Sequence, residues 1–214
     1  MAGLVTALRF QKHAADRVNV YLDERFALGL PAVEAAKLRV GQYLSDADVA
    51  RLRAVDAEQQ AYDRAVRLLG YRPRSQVEIR QRLAAAEVEP AMIEAVVQRL
   101  ADEGYLNDED FARFWVENRE RFRPRSPQAL RQELRRKGVA DDAISAAVAD
   151  LDPVASACEA GRPRARRLAA LPDRDPVTFR RQLAEFLLRR GFDHDAVRAA
   201  VLRLQAEVGD ALTG

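Results

Sequence analysis

The chain has 214 residues, 48% of them hydrophobic and 32% charged, enough for one or two globular units and too charged for a membrane protein. Its formal net charge is only +2, so affinity for an acidic partner has to come from local patches. No run of about 18 apolar residues occurs and the opening MAGLVTALRF lacks a basic leader, which predicts a soluble protein of the cytoplasm with neither transmembrane helix nor signal peptide.

Residues 1–56 are expected to form a strand and helix extension. LVTALRFQ, RVNVYL and RFALGL read as the strands of a small meander, with alternation in Val18, Val20 and Leu22 and a two-residue Asp23-Glu24 link. That link lacks the glycine favoured in a type I′ turn, so the turn type stays open. Pro31 suits the first turn of a short helix over 31–38, and Ser45 followed by Asp48 predicts the capped start of a longer helix.

From Ala57 onward the pattern is helical and repeats internally. Tyr71-Arg72-Pro73-Arg74-Ser75 recurs as Phe122-Arg123-Pro124-Arg125-Ser126, an offset of 51. In that register Arg80 meets Arg131, Leu83 meets Leu134, and Ile93, Val96, Val97, Leu100 meet Ile144, Ala147, Val148, Leu151. A third copy lies a further 53 residues on, where Gly138-Val139 becomes Gly191-Phe192 and the apolar stripe becomes Val197, Ala200, Val201, Leu204. The units are placed at 57–106, 107–152 and 153–214, the last including the C-terminal tail. Their helices are read at 57–69, 75–86, 90–102, 108–121, 127–137, 141–150, 153–170, 175–190 and 194–207. Asn107 with Asp110 marks an N-cap, and Gly104 and Gly138 stand where a left-handed residue ends a helix. Units of about 50 residues have small cores, so the fold class expected is mostly α: tandem three-helix repeats in an extended curved array behind the β-meander extension.

The densest charge lies in the second unit: Arg119, Arg121, Arg123, Arg125, Arg131, Arg135, Arg136 and Lys137, offset only by Glu120 and Glu133. Smaller echoes occur at Arg72, Arg74, Arg80 and Arg82, and at Arg162, Arg164, Arg166 and Arg167. Guanidinium groups on one helix face neutralise phosphates, bind an acidic protein surface equally well, or simply keep the face solvated; the charge pattern alone leaves all three open. Phe111 and Trp115 are four apart and share a face, which predicts burial ahead of base stacking. Tyr71 and Phe122, in the loops before the arginines, are expected to pack against the preceding helices, with partner contact as the second reading.

Chemistry of other kinds finds few residues. Cys158 is the single cysteine, so no internal disulfide forms, and it reads as a buried apolar residue. His13 and His194 stand far apart without ligand spacing, so no zinc site is expected. Asp108, Glu109 and Asp110 fit the first turn of a helix as macrodipole partners rather than as Mg²⁺ ligands. No phosphate-binding lysine loop, dinucleotide glycine fingerprint or nucleophile elbow is present, so no enzyme and no cofactor is expected.

Tyr105-Leu106-Asn107-Asp108, then Phe111-Ala112, Val116 and Arg119, followed by Glu133-Leu134 and Lys137-Gly138-Val139, resembles the central signature of the RecX family of recombination regulators. The three tandem units over 57–207 resemble that family as well. Residues 1–30 resemble the N-terminal extension of its longer members, and Arg123-Pro124-Arg125-Ser126 departs from the Gly-Pro form common in that loop. The resemblance implies a non-catalytic modulator in DNA repair and the SOS response. Such a modulator binds the RecA recombinase, lies along its nucleoprotein filament, and limits filament growth, strand exchange, ATPase and coprotease activity. The residues placed at that contact are Arg119, Arg121, Arg123, Arg125, Arg131, Arg135, Arg136 and Lys137, with Arg72 and Arg74 as a secondary patch. Single- or double-stranded DNA is a possible second ligand, no membrane is expected, and internal repetition favours a monomer. The alternative reading is an autonomous nucleic-acid-binding helical repeat acting through phosphate contacts; a helical scaffold for proteins is a third.

Overall fold

The structure is a computed structural model that describes residues 2–12, 14–171 and 175–210; His13 lies outside the described residues. The chain divides into two compact units, residues 1–72 with 79–105 and residues 73–78 with 106–214.

The first unit opens on an antiparallel sheet. Strands β1 (Gly3–Gln11), β2 (Ala14–Leu22) and β3 (Arg25–Pro31) form the expected meander. A fourth strand, β4 (Tyr43–Leu44), pairs with β1 and gives the order β3-β2-β1-β4. Two residues are too few to show a period of two, which is why the sequence pattern misses β4. Asp23 and Glu24 adopt left-handed φ values of 46° and 66°, as a type I′ turn requires, although neither is glycine. The strain is offset by hydrogen bonds to β1: the Leu4 amide donates to Asp23 Oδ1 (3.1 Å) and the Glu24 amide to Thr6 Oγ1 (2.9 Å).

After the short helix α1 (Ala32–Ala35), helix α2 runs unbroken over Asp46–Tyr71. The sequence reading has separate helices here, one capped by Ser45 and one over 57–69. Nothing between residues 46 and 71 interrupts helical hydrogen bonding, since proline is absent and Gly70 falls in the last turn, so the two are one. The Ser45–Asp48 capping box forms as expected, the Asp48 amide donating to Ser45 Oγ at 3.1 Å. The first turns of α2 bury Val49 and Leu52 in the core of Val5, Val18, Val20, Leu22, Leu28, Leu30 and Leu44. Its later turns bury the small Ala61 and Ala65, letting α4 (Pro90–Asp102) approach closely.

Helix α3 (Gln76–Ala84) leads to α4, with Ile79, Leu83, Ile93 and Leu100 buried as the repeat pattern predicts. The second unit holds α5 (Asp108–Phe122), α6 (Pro127–Arg136) and α7 (Asp141–Ala147) around Phe111, Leu130, Leu134 and Ile144. It also holds α8 (Pro153–Ala169), α9 (Pro176–Leu188) and α10 (His194–Asp210) around Leu183, Leu187 and Leu204. The chain is thus mostly helical, with tandem three-helix units following a small antiparallel half-barrel. Cys158 is buried and its thiol pKa is pushed up by that burial.

The repeat shows in the backbone as well. The amides of Val88, Val139 and Phe192 bond the carbonyls of Leu83, Leu134 and Leu187 at 3.2, 3.2 and 3.4 Å, the six-to-one bond that closes a helix on a left-handed residue. Gly138 (φ 78°) and Gly191 (φ 88°) supply that residue in two copies, and Glu87 (φ 60°) in the first.

Candidate partner-binding site

The basic segment occupies the end of α5, the following loop and α6. Asn107 caps α5, accepting from the amides of Glu109 (2.8 Å) and Asp110 (3.2 Å), and Asp108, Glu109 and Asp110 fill its first turn. Arg119 and Arg121 fill its last, so charge follows the helix macrodipole. Asp108 has a further structural task, accepting from the Gln76 amide at 3.0 Å. Pro124 stops α5; Ser126 then caps α6, its Oγ accepting from the Ala129 amide at 3.0 Å, with Pro127 at the first helical position. Arg135 and Arg136 end α6.

The cations of this segment do not all do the same thing. Glu133, whose side chain is only 13% exposed, accepts from Trp115 Nε1 (2.8 Å) and Arg119 Nε (2.8 Å) and pairs with Arg125 Nε (3.1 Å). The Arg119 guanidinium lies 4.5 Å from the centre of the Trp115 indole and Lys137 Nζ lies 4.1 Å from it. Lys137 also pairs with Glu78 at 2.8 Å, and Arg135 with Asp141 at 2.7 Å. Arg135 and Lys137 are therefore each neutralised within the second unit, while Arg119 and Arg125 share the single charge of Glu133. Arg121 lies over the Phe122 ring at 5.2 Å, while Arg123, Arg131 and Arg136 form no ion pair among the described residues. Arg72 and Arg74 are half-buried.

Trp115 is half-buried, tilted against Phe111 at 5.9 Å, and packs on the core with its indole N–H satisfied by Glu133. Tyr71 and Phe122 correct the sequence reading: they are 85% and 67% exposed and do not pack on the preceding helices. Each is the last residue of its helix, and the extended Arg-Pro-Arg segment that follows turns the chain away, leaving no surface for the ring to cover.

One residue of this region escapes the sequence reading. Arg190 Nη1 donates to the Pro124 carbonyl at 3.1 Å, and burial together with the charges of Arg123 and Arg125 lowers its pKa below the ordinary arginine value. Its signal lies in the register already drawn, because the offset of 53 puts Arg190 on Lys137. Nearby Glu120 is half-buried against Ser156, whose Oγ donates to it at 2.7 Å; burial raises its carboxyl pKa, and its second oxygen has no hydrogen-bond partner. No group of three or more metal-ligating side chains occurs among the described residues, and no helix there is long and apolar enough to cross a membrane.

A half-barrel followed by three-helix units that present unpaired arginines and exposed aromatic rings is the architecture of a regulator that works by binding. Three family profiles match in tandem: the Regulatory protein RecX N-terminal domain over residues 3–45, the first RecX three-helix domain over 61–100 and the second over 107–148. The regulatory protein RecX of Bacillus subtilis is 30% identical over 95% of this chain and 78% of its own length, and that of Bacillus velezensis 29% identical over 96% and 79%. The chain belongs to the RecX family of non-enzymatic regulatory proteins. A crystal structure of regulatory protein RecX shares its fold with a TM-score of 0.72 at 21% identity, covering 94% of this chain and 98% of that one. The structure of RecX from Lactobacillus salivarius gives 0.60 at 21% identity over 71% and 98%.

Proposed function

We propose that this protein acts in the cytoplasm as a monomeric regulator that binds the RecA recombinase and its nucleoprotein filament. It limits filament growth, strand exchange, ATPase and coprotease activity in DNA repair and the SOS response. The observation that carries this reading is the surface of α5, its loop and α6, where Arg121, Arg123, Arg131 and Arg136 keep their charge available and Arg125 shares one carboxylate with Arg119, while Arg119, Arg135 and Lys137 hold the scaffold through Glu133, Asp141 and Glu78. Arg72 and Arg74, the corresponding positions of the preceding copy, form the secondary patch. Repeated contacts raise the effective concentration of each further one, so modest affinity per unit sums to tight binding on a repetitive polymer.

The test is the ATPase rate of the cognate RecA recombinase on single-stranded DNA as this protein is added, with the Arg131→Glu/Arg136→Glu variant beside it. Neither arginine has an ion pair to lose, so the variant retains its fold. The rate should fall with wild type below one protein per recombinase and stay unchanged with the variant. No effect of wild type on either ATPase rate or filament assembly refutes the proposal.

A further inference from the structure

Within the second unit one packing motif occurs twice, with a change of charge. In the first occurrence Ser75 Oγ donates to the Lys137 carbonyl at 2.7 Å, Val77 fills the space in front of Gly138, and Lys137 Nζ pairs with Glu78 at 2.8 Å. In the second, Ser126 and Ala129 stand against Gly191: a Cβ on that glycine would lie 3.1 Å from Ser126 Oγ and 3.0 Å from Ala129 Cβ. Arg190 takes the place of Lys137. The place of Glu78, 51 residues on, is taken by Ala129, so the carboxylate that neutralises the first cation is missing at the second.

What surrounds Arg190 instead is positive. Its Nη1 donates to the carbonyl of Pro124, the residue between Arg123 and Arg125, its guanidinium lies 4.6 Å from the centre of the Phe186 ring, and burial, followed by the charges of those two arginines, lowers its pKa. Arg125 shares Glu133 with Arg119, and neither Arg123 nor Arg190 forms an ion pair among the described residues. Arg125 has only a share of one carboxylate and Arg123 and Arg190 have none among the described residues, so the loop around Pro124 carries an excess of positive charge that a further anion would relieve.

We infer that Arg123, Arg125 and Arg190 form a site for the phosphodiester backbone of a single-stranded nucleic acid, with Phe122 as the stacking surface for a neighbouring base. A tetrahedral phosphate offers oxygens in several directions and accepts from arginine forks that approach it from different sides. Phe122 follows Arg121 and precedes Arg123 in the chain and is 67% exposed. An open aromatic face beside arginines suits unpaired bases, which a duplex keeps stacked on each other. The site extends the filament reading to the nucleic acid within the filament, and its test leaves out the recombinase so that each can fail alone.

The measurement is fluorescence anisotropy of a labelled thirty-nucleotide oligo(dT) with the full chain, at several salt concentrations. Arg190→Gln removes one phosphate contact and should weaken binding about fivefold at 0.1 M salt, lowering the salt slope by about 0.7. Ala129→Glu rebuilds the carboxylate of the first motif without removing any arginine; it should weaken binding by a similar factor, and its position in the first turn of α6 favours an acidic residue, so thermal unfolding should show an intact fold. Phe122→Ala should weaken the single strand and leave a duplex of equal length unchanged. The inference is overturned if folded Arg190→Gln and Ala129→Glu bind oligo(dT) as wild type does. It is overturned equally if a Glu-rich peptide displaces the oligonucleotide at lower concentration with the same dependence on both variants, which assigns the site to an acidic protein surface.

Discussion

Glu133 is the residue whose removal tests the architecture of the basic segment most directly. Glu133→Ala takes away one carboxylate and leaves three donors without it: the Trp115 indole at 2.8 Å, Arg119 at 2.8 Å and Arg125 at 3.1 Å. The Trp115 bond, to a carboxylate only 13% exposed, contributes about 1–1.5 kcal/mol. Arg119, 24% exposed, adds about 1 kcal/mol, and Arg125, 42% exposed and screened by solvent, only a few tenths, about 0.3 kcal/mol. The sum is about 2–3 kcal/mol, equivalent to a fall in Tm of about 5–10 °C for a chain of this size. Glu133→Gln keeps an acceptor for the indole and loses the charge, so it should cost about 1 kcal/mol. Trp115 is the chain's only tryptophan, which makes urea unfolding followed by its fluorescence a local probe of the same cluster. The wild type should lose part of its advantage in high salt, and Glu133→Ala should not. A loss below about 0.5 kcal/mol for Glu133→Ala would refute the assignment of Glu133 as the centre that holds Arg119 and Arg125 in place.

Gly138 and Gly104 separate backbone strain from crowding. Both have φ near 78°, but a Cβ at Gly138 would stand 2.2 Å from Val77 Cγ2, while at Gly104 it meets nothing within 4 Å. Gly104→Ala should cost about 1–2 kcal/mol and Gly138→Ala about 2–4 kcal/mol, read by urea denaturation; equal losses would remove Val77 from the account. For Glu120, burial raises the folded pKa, so the protonated form is favoured on folding and stability is lost as pH rises through that value. Glu120→Gln should accordingly stabilise the protein at neutral pH, and the gain should vanish below the ordinary glutamate range; a gain that persists unchanged in acid contradicts the burial argument. Tyr71→Ser and Phe122→Ser touch exposed rings, so each should shift stability by no more than about 0.5 kcal/mol while weakening filament binding in a co-sedimentation assay. Unchanged binding by both variants would leave the rings without a partner role.

The sequence exposes those parts of the fold that rest on local chemistry or on repetition. Ser45, Asn107 and the glycines at 104 and 138 mark helix ends because a cap needs one side-chain oxygen or one left-handed residue, both readable at a single position. Leu83, Ile93, Phe111, Leu134 and Ile144 are buried where the periodic stripe puts them, whereas Leu151, past the end of α7, is only partly covered. What escapes is set by non-local pairing or by missing interruptions: β4 is two residues long, and α2 continues because no residue stops it. The candidate site was legible as a charge run but not as a division of labour. Which cation is spent on Glu133, Asp141 or Glu78 depends on residues from 6 to 59 positions away, and no periodicity carries that information. Glu87, a left-handed residue where the later copies use glycine, shows that even a faithful repeat can keep its geometry while changing its chemistry.

The unbroken course of α2 bears on how the protein responds to load and to time. At 1.5 Å per residue its 26 residues extend about 39 Å, one end seated in the sheet core and the other against α4. A helix shared by two cores cannot fray in one without loosening the other, so the half-barrel and the first three-helix domain should open as a single cooperative block. Amide hydrogens on β2 and on α4 would then exchange with one common free energy. A pull applied to the strands would be delivered along the helix axis to the three-helix domain, making α2 a strut where two independent domains would have had a joint.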